Sequence, residues 1–387
     1  GKYSLMNALT GQACSLVSKI AGTTTDPVER RYELQPLGAV VWMDTAGIDD
    51  RGELGELRVA RTLKALKQAD VLLIVFDAES SEALQETICT ALPENIPRCI
   101  VLLKSDLLST HDLNDKINQL TTFWKQPVLA ASTLSGLGLN SIKDALVDQL
   151  QNTSVPELIS DIVQPGELVI LVVPIDKEAP VGRIIHPQAQ VLRALLDRGA
   201  MAMVVRDTEL AETFRRLAEP PALVITDSQA FEQVSHLTPK TIRITSFSIL
   251  FARQKGNLSQ YAAGAKALEN LVENRPILIA ESCSHRPIGE DIGRVKIPHW
   301  LRTKTGLDLT FDVYSGKDWP NDLTKYQLII QCGGCMANRP FILSRLEEAQ
   351  RLGIPMTNYG VVIASLKGII DRALDPFPEA LAAYRNV

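Results

Sequence analysis

Short apolar runs alternate with amphipathic stretches along almost the whole chain. In the first part the strand-like runs are VVWMD, ending at Asp44, DVLLIVFD, ending at Asp77, CIVLLKSD, ending at Asp106, and PVLAAS, ending at Ser132; LGELRVARTLKALKQ carries a helical pattern. Strands alternating with helices of this length predict a mainly parallel sheet covered on both faces. The polar stretch QNTSVPELISDIVQPG interrupts the pattern and reads as a linker, so residues 1–154 are expected to form one domain. The theme then returns twice. LVILVVPID, AMAMVVRD, ALVITD and TIRITS mark strands over residues 166–256, and their runs are continuous, as in parallel strands buried on both faces. PILIAES, DLTFDVY and YQLIIQC mark strands over residues 257–387. The fold class that follows is α/β, with three domains that are each a mainly parallel sheet flanked by helices.

Composition removes several function classes. The 387 residues hold 40 basic and 45 acidic side chains, well mixed, for a net charge of −5. With no basic arm or patch, a nucleic-acid partner is not expected. No window approaches the ~18 consecutive apolar residues of a membrane span, and no signal peptide is visible, so a soluble, cytoplasmic protein is expected. Six cysteines in a chain this long do not make a disulfide framework. Cys14, Cys89 and Cys99 stand singly in apolar or helical stretches and are expected as small buried hydrophobes. Cys283, Cys332 and Cys335 fall just beyond strands of the last segment, where open α/β sheets collect their ligands.

The first segment carries an ordered set of nucleotide-binding features. GKYSLMNAL supplies Gly1 and Lys2, the tail of a phosphate loop in which the lysine reaches the outer phosphates, with Tyr3 at the position of the magnesium-binding hydroxyl. The preceding strand and the motif's first glycine are absent from the sequence; a parallel GTPase sheet needs them, so the native protein is expected to have them. AGTTTDP offers the hydroxyls of Thr23, Thr24 and Thr25 to magnesium and the γ-phosphate. In DTAG, Asp44 suits the metal's outer shell and the Gly47 N–H can face the γ-phosphate. In LKSD, Asp106 can pair with the edge of guanine while the Lys104 stem lies on its ring, and Ser132 in AAS belongs to a base-contacting loop. The set resembles the Ras-like P-loop GTPases of the TrmE/Era type, with Leu103 in place of the asparagine of their Asn-Lys-x-Asp motif. The resemblance implies GTP and Mg²⁺ as ligands; a GTPase fold that has lost turnover is the alternative.

Cys332 and Cys335 form a C-x-x-C, and Cys283 with His285 forms a C-x-H earlier in the chain. A thioredoxin-like pair needs no third cysteine. Three thiolates and an imidazole would satisfy tetrahedral zinc, whereas three thiolates would hold an iron–sulfur cluster with one iron left open. Composition and spacing leave these two open.

The runs ESCSHRPIGEDIGRVKIPHWL, IIQCGGCMANR, RLGIPMTNYGV and VILVVPIDKEAPVGRIIHPQ are similar to those of the [FeFe]-hydrogenase maturation GTPases, the HydF family, through nearly the whole chain. That family's cluster motif is Cys-x-His, a long spacer, then His-Cys-x-x-Cys. Cys283, His285, Cys332 and Cys335 match it, and Gln331 stands where the second histidine is usual. The resemblance implies a scaffold holding a [4Fe–4S] cluster and a diiron precursor, built with two radical-SAM maturases and passed to the apo-hydrogenase, with GTP governing partner exchange and a monovalent cation as an optional further ligand. Residues 166–256, an α/β unit lacking a visible site, are the candidate dimerisation module, and a homodimer is expected. His285 is the first candidate for a fourth cluster ligand, with Glu281, water or an exogenous ligand as alternatives. Arg286, Arg294 and Lys296 are expected to form surface ion pairs with Glu290 and Asp291, with pairing to anionic ligands such as cyanide or thiolate as the alternative. The alternative reading of the whole is a regulatory GTPase with a structural Cys3His zinc domain.

Overall fold

The structure is a computed structural model and describes residues 2–11, 28–45, 59, 62–63, 65–77, 80, 82–92, 96–152, 155–175, 184–282, 291–335 and 337–386. The chain closes into two compact units, 1–154 and 155–387.

In the first unit the helix Lys2–Thr10 buries Leu5, Met6 and Leu9, a stripe at helical spacing. Strands β1 (Val28–Leu34) and β2 (Gly38–Asp44) form an antiparallel hairpin, registered from Val28 opposite Asp44 to Leu34 opposite Gly38. Strands β3 (Leu72–Phe76), β4 (Arg98–Leu102) and β5 (Val128–Ala130) make a parallel sheet in that order. The run through β4 shows why the sheet is covered twice. Cys99, Val101 and Leu103 belong to one apolar cluster with Leu5, Leu9, Ile142 and Leu146, while Ile100 and Leu102 belong to another with Phe76, Leu120 and Trp124. Successive side chains leave a strand on opposite faces, so one continuous apolar run feeds both layers.

The second unit holds two four-stranded parallel sheets. One has the order β7-β6-β8-β9, from β6 (Leu168–Val172), β7 (Met201–Val205), β8 (Leu223–Thr226) and β9 (Arg243–Ser246). The other has the order β11-β10-β12-β13, from β10 (Ile277–Ala280), β11 (Phe311–Tyr314), β12 (Leu328–Gln331) and β13 (Met356–Asn358). A single apolar cluster runs from Leu158 to Ala380 and takes side chains from both sheets, including Leu171, Ile225, Leu278 and Ile329. The far face of the second sheet packs through Ile277, Leu328 and Ile330 on Ile297, Leu301 and Val362. Gly264, the last residue of helix Leu258–Gly264, sits so close to β13 that a Cβ there would lie 2.1 Å from the Met356 carbonyl oxygen. Parallel sheets flanked by helices are what the apolar alternation predicts, with the β1–β2 hairpin the antiparallel exception among the described residues.

Of the single cysteines, Cys99 is buried as expected and Cys89 is not. Cys89 lies on the helix Glu82–Ala91, where Gln85 faces inward and Ile88 packs on the apolar cluster. One residue further on is a turn of about 100°, which carries Cys89 to solvent. Cys14 lies outside the described residues.

Candidate functional site

The strand order of the second sheet decides where its chemistry gathers. β10 pairs with β11 on one side and β12 on the other, so the connections leave the β10–β12 gap in opposite directions and open a crevice at its carboxyl end. Ala280 and Gln331 are opposite each other there, and the chain leaves β12 directly into Cys332. The Cys332 N–H donates to the Ala280 carbonyl (2.9 Å), extending the ladder by one bond. Its sulfur then receives the N–H of Ser282 (3.1 Å) and of Gly334 (3.4 Å), and Gln331 Nε2 lies 3.5 Å away. Gly334 has φ +62°, a backbone region that glycine enters without strain, and this conformation curls the C-x-x-C around the sulfur. Asn358, buried at the end of β13, donates from Nδ2 to the Cys332 carbonyl (3.3 Å) and accepts the Gly360 N–H (2.8 Å) as a helix cap.

The far side of the loop is fastened from residues before the sheet begins. Lys255 Nζ donates to the carbonyls of Gly334 (2.8 Å), Cys335 (3.1 Å) and Ala337 (2.7 Å). Arg339 Nη1 returns the contact to the carbonyls of Gln254 (2.6 Å) and Gly256 (3.0 Å). Both groups stand at the end of helix Phe247–Lys255, where unpaired carbonyls and nearby cations suit one another.

These residues fit a metal-bound thiolate. Backbone N–H groups aimed at sulfur are the outer-shell pattern that steadies and tunes thiolate ligands, and the Ser282 bond brings the residue before Cys283 to the Cys332 sulfur. Cys283 and His285 themselves lie outside the described residues. Among the described residues no three His, Cys, Asp or Glu side chains come together as a metal site requires, so the donor set depends on those two positions. Gln331 is fully buried and gives its amide to Ser282 Oγ (2.8 Å) as well as facing the sulfur.

The charged rim differs from its expectation. Arg294 does not spend its guanidinium on Asp291 but pairs with Glu281 (Nη2–Oε2, 2.9 Å), and Ser315 Oγ, past the end of β11, joins both (2.8 and 2.7 Å). Asp291 instead accepts the Arg294 backbone N–H (2.7 Å), as a cap of the turn Ile292–Lys296. Lys296 reaches Gln229 Oε1 (2.6 Å). Arg286 and Glu290 lie outside the described residues. Arg345, absent from the residues singled out by sequence, is only 4% exposed and faces Gln331 (Nη1–Oε1, 3.5 Å). Its signal was available: Phe341, Ile342 and Ala349, at helical spacing from Arg345, are buried on helix Arg339–Arg351, which places a cation on an apolar face.

In the first unit Gly1, Thr23, Thr24, Thr25 and Gly47 lie outside the described residues. Lys2 Nζ lies 3.4 Å from the Thr45 carbonyl, next to Asp44 at the end of β2, so these two predicted phosphate-side groups are neighbours. Leu103 follows β4 into the apolar cluster, 2% exposed. Lys104 then takes a left-handed conformation (φ +59°), which turns its side chain out to Asp77 (3.0 Å), while Asp106 sits exposed in the short helix Ser105–Leu107. The Ser105 N–H donates to the Ala131 carbonyl (3.2 Å) and ties the LKSD turn to the AAS loop. Ser132 is buried, and its hydroxyl accepts the N–H groups of Leu134 and Ser135 (both 3.2 Å), holding that loop.

Comparison with known families closes the question of kinship. Residues 158–256 match the hydrogen maturase F dimerization domain, and residues 259–376 match the hydrogen maturase F tetramerization domain. The chain belongs to the HydF family. Residues 1–104 match a model described as 50S ribosome-binding GTPase, so this HydF-family chain opens with a GTPase domain. Its relatives include the tRNA modification GTPase MnmE of Moorella thermoacetica, 34% identical over 145 residues, covering 37% of this chain and 31% of that protein. GTPase Der of Wolinella succinogenes is 32% identical over 162 residues, covering 40% and 34%. The HydF-family chain thus spans about a third of the length of these curated relatives. The crystal structure of Aquifex aeolicus Era bound to GDP.AlF4− superposes with a TM-score of 0.36 at 20% identity, covering 53% of this chain and 89% of that one. Among the described residues no helix is long and apolar enough to cross a membrane.

Proposed function

We propose that this chain is a GTP-binding scaffold of [FeFe]-hydrogenase maturation, in which Cys283, Cys332 and Cys335 hold a [4Fe–4S] cluster and His285 is the first candidate for its fourth ligand. The observation that carries the reading is the seat of the Cys332 sulfur, at the β10–β12 crevice among the N–H groups of Ser282 and Gly334. Consecutive Cα atoms are about 3.8 Å apart, so Cys283 follows within one residue of an amide already bonded to that sulfur. When bound, the cluster supplies an iron whose open or weakly held position can retain a diiron precursor and release it. The protein's own groups then have plain tasks. Gln331 fills the back of the crevice with an amide that orients toward sulfur rather than competing for iron, and Lys255 gathers the loop carbonyls of Gly334, Cys335 and Ala337.

In the GTPase domain, Gly1, Lys2, Thr23, Thr24, Thr25, Asp44 and Gly47 serve the phosphates and Mg²⁺, and Lys104, Asp106 and Ser132 serve the base. The partners are two radical-SAM maturases, the apo-hydrogenase and a second copy of the chain.

The deciding experiment is iron, sulfide and zinc analysis of anaerobically prepared protein, with low-temperature EPR after dithionite reduction. The expected result is about four irons and four sulfides per chain, with a signal that disappears in Cys332→Ser. One zinc and no iron, persisting through anaerobic reconstitution, would instead establish a zinc-stabilised regulatory GTPase.

A further inference from the structure

Arg345 is a charge in an expensive place. Its guanidinium lies 4.5 Å from the Trp319 ring and 4.3 Å from the Phe341 ring, between two aromatic faces, and only 4% of the residue is exposed. Nη2 donates to two backbone carbonyls, Gly316 (2.9 Å) and Asp318 (3.1 Å), and Nη1 faces Gln331 Oε1 (3.5 Å). None of these partners carries charge. Glu348, three residues on, gives its carboxylate to Trp319 Nε1 (2.9 Å), and Asp318 bonds Arg345 only through its carbonyl, its exposed carboxylate adding the least of the attractions on the guanidinium. Burial pushes the guanidinium pKa down to about 10, with the sulfur of Cys332 the strongest influence in the other direction, and an arginine at that value still carries its proton at neutral pH. A buried cation whose hydrogen-bond partners are all neutral is costly, and folding must offset that elsewhere.

The missing anion has a direction. Gln331 stands between Arg345 and Cys332, accepting on its oxygen from the one and facing the sulfur of the other with its nitrogen (3.5 Å). An amide so held is polarised from both ends. We infer that Arg345 is the buried counter-cation of the thiolate-bound cluster, acting through Gln331 on the Cys332 sulfur, and that it raises the cluster's reduction potential and steadies its retention. Arg345 is a positioning residue here: it touches neither iron nor cargo. The inference rests on the cluster reading of the site. The physical reason is that each added electron increases the negative charge beside a fixed positive one, in surroundings that screen little.

The test compares Arg345→Met, which keeps the stem between the rings and deletes the charge, with Arg345→Lys, which keeps the charge. Both are titrated as reconstituted full-length protein by EPR-monitored redox potentiometry, with iron per chain and melting temperature measured alongside. In Arg345→Met the midpoint is expected to move negative, so that at the wild-type midpoint the reduced-to-oxidised ratio falls about tenfold, about 59 mV for one electron; iron is also lost faster to a chelator. Arg345→Lys is expected to stay close to wild type in both. Met and Lys variants that match each other in potential and iron retention overturn the assignment, even if both melt early, because only packing then matters. If Arg345→Met does not fold, Arg345→Gln replaces it in the same comparison with Lys. A wild type that carries zinc and no iron defeats the cluster reading itself, and is told apart from a loaded wild type whose potential ignores residue 345.

Discussion

Lys255 Nζ sits 3.1 Å from the carbonyl oxygen of Cys335, and the same ammonium holds the carbonyls of Gly334 and Ala337. A residue at the end of the match to the HydF dimerization domain thereby shapes a loop inside the match to the tetramerization domain. Replacing Lys255 with Met keeps the stem and removes its charged hydrogen bonds to the Gly334, Cys335 and Ala337 carbonyls. Bonds to a charged donor support a loss of about 1–3 kcal/mol. Urea unfolding of the 155–387 unit's signal should show the loss, and an unchanged midpoint would mean that the loop holds its shape without the lysine.

Gly264 offers a second site for a stability measurement. A methyl group there meets the Met356 carbonyl oxygen at 2.1 Å, and backbone on both sides leaves little room to yield. Gly264→Ala is expected to cost about 1–3 kcal/mol by overpacking, seen as a lower melting temperature. A neutral or stabilising result would show that helix Leu258–Gly264 can lift off β13 cheaply.

Much of this architecture is legible in the chain itself. The unbroken run through β4 predicts burial on both faces, and Cys99 and Ile100 divide between the two clusters as a period of two requires. The site is legible in part. Cys332 and Cys335 can be read as ligands because thiols at a strand end are rare enough to notice. Lys255 and Arg294 cannot be read the same way, since a cation on a helix or turn is ordinarily solvated, and the apolar face around Arg345 marks that residue as buried without showing what it meets. Their partners are set by the tertiary fold: the side-by-side β10, β11 and β12 present Glu281, Ser315 and Gln331 to the two arginines, and the carbonyls that Lys255 holds lie 79 to 82 residues further along the chain.

Cys99 and Cys89 should differ sharply toward alkylation. Burial pushes the Cys99 thiol up to about 11, whereas Cys89 is exposed. A raised thiol pKa favours the fold while the group is neutral: its contribution is whole below the ordinary value near 9.0 and fades as pH climbs through about 11. Iodoacetamide at pH 9 should label Cys89 within minutes and Cys99 only after unfolding, with peptide mapping as the readout. Equal labelling of both in the folded protein would refute the burial.

Asp106 carries the prediction for the GTPase domain. It stands exposed beside Lys104, whose left-handed backbone aims the lysine stem outward. Asp106→Ala should weaken binding of a non-hydrolysable GTP analogue at least tenfold, about 1.4 kcal/mol, with the melting temperature unchanged. Calorimetry showing equal affinity for both proteins would remove Asp106 from the base site.

The two sheets of the second unit share one strand order, so each leaves a gap at the same place, between its first and third strands. At the β6–β8 gap the chain departs β8 through Asp227 and Ser228, oxygen-bearing residues, with Asp227 bound by Gln188 (2.7 Å). At the β10–β12 gap it departs through sulfur. Soft donors select soft or borderline metals and hard donors do not. Two crevices of one topology are thus set apart by the polarisability of a single departing atom, and the fold alone would not tell them apart.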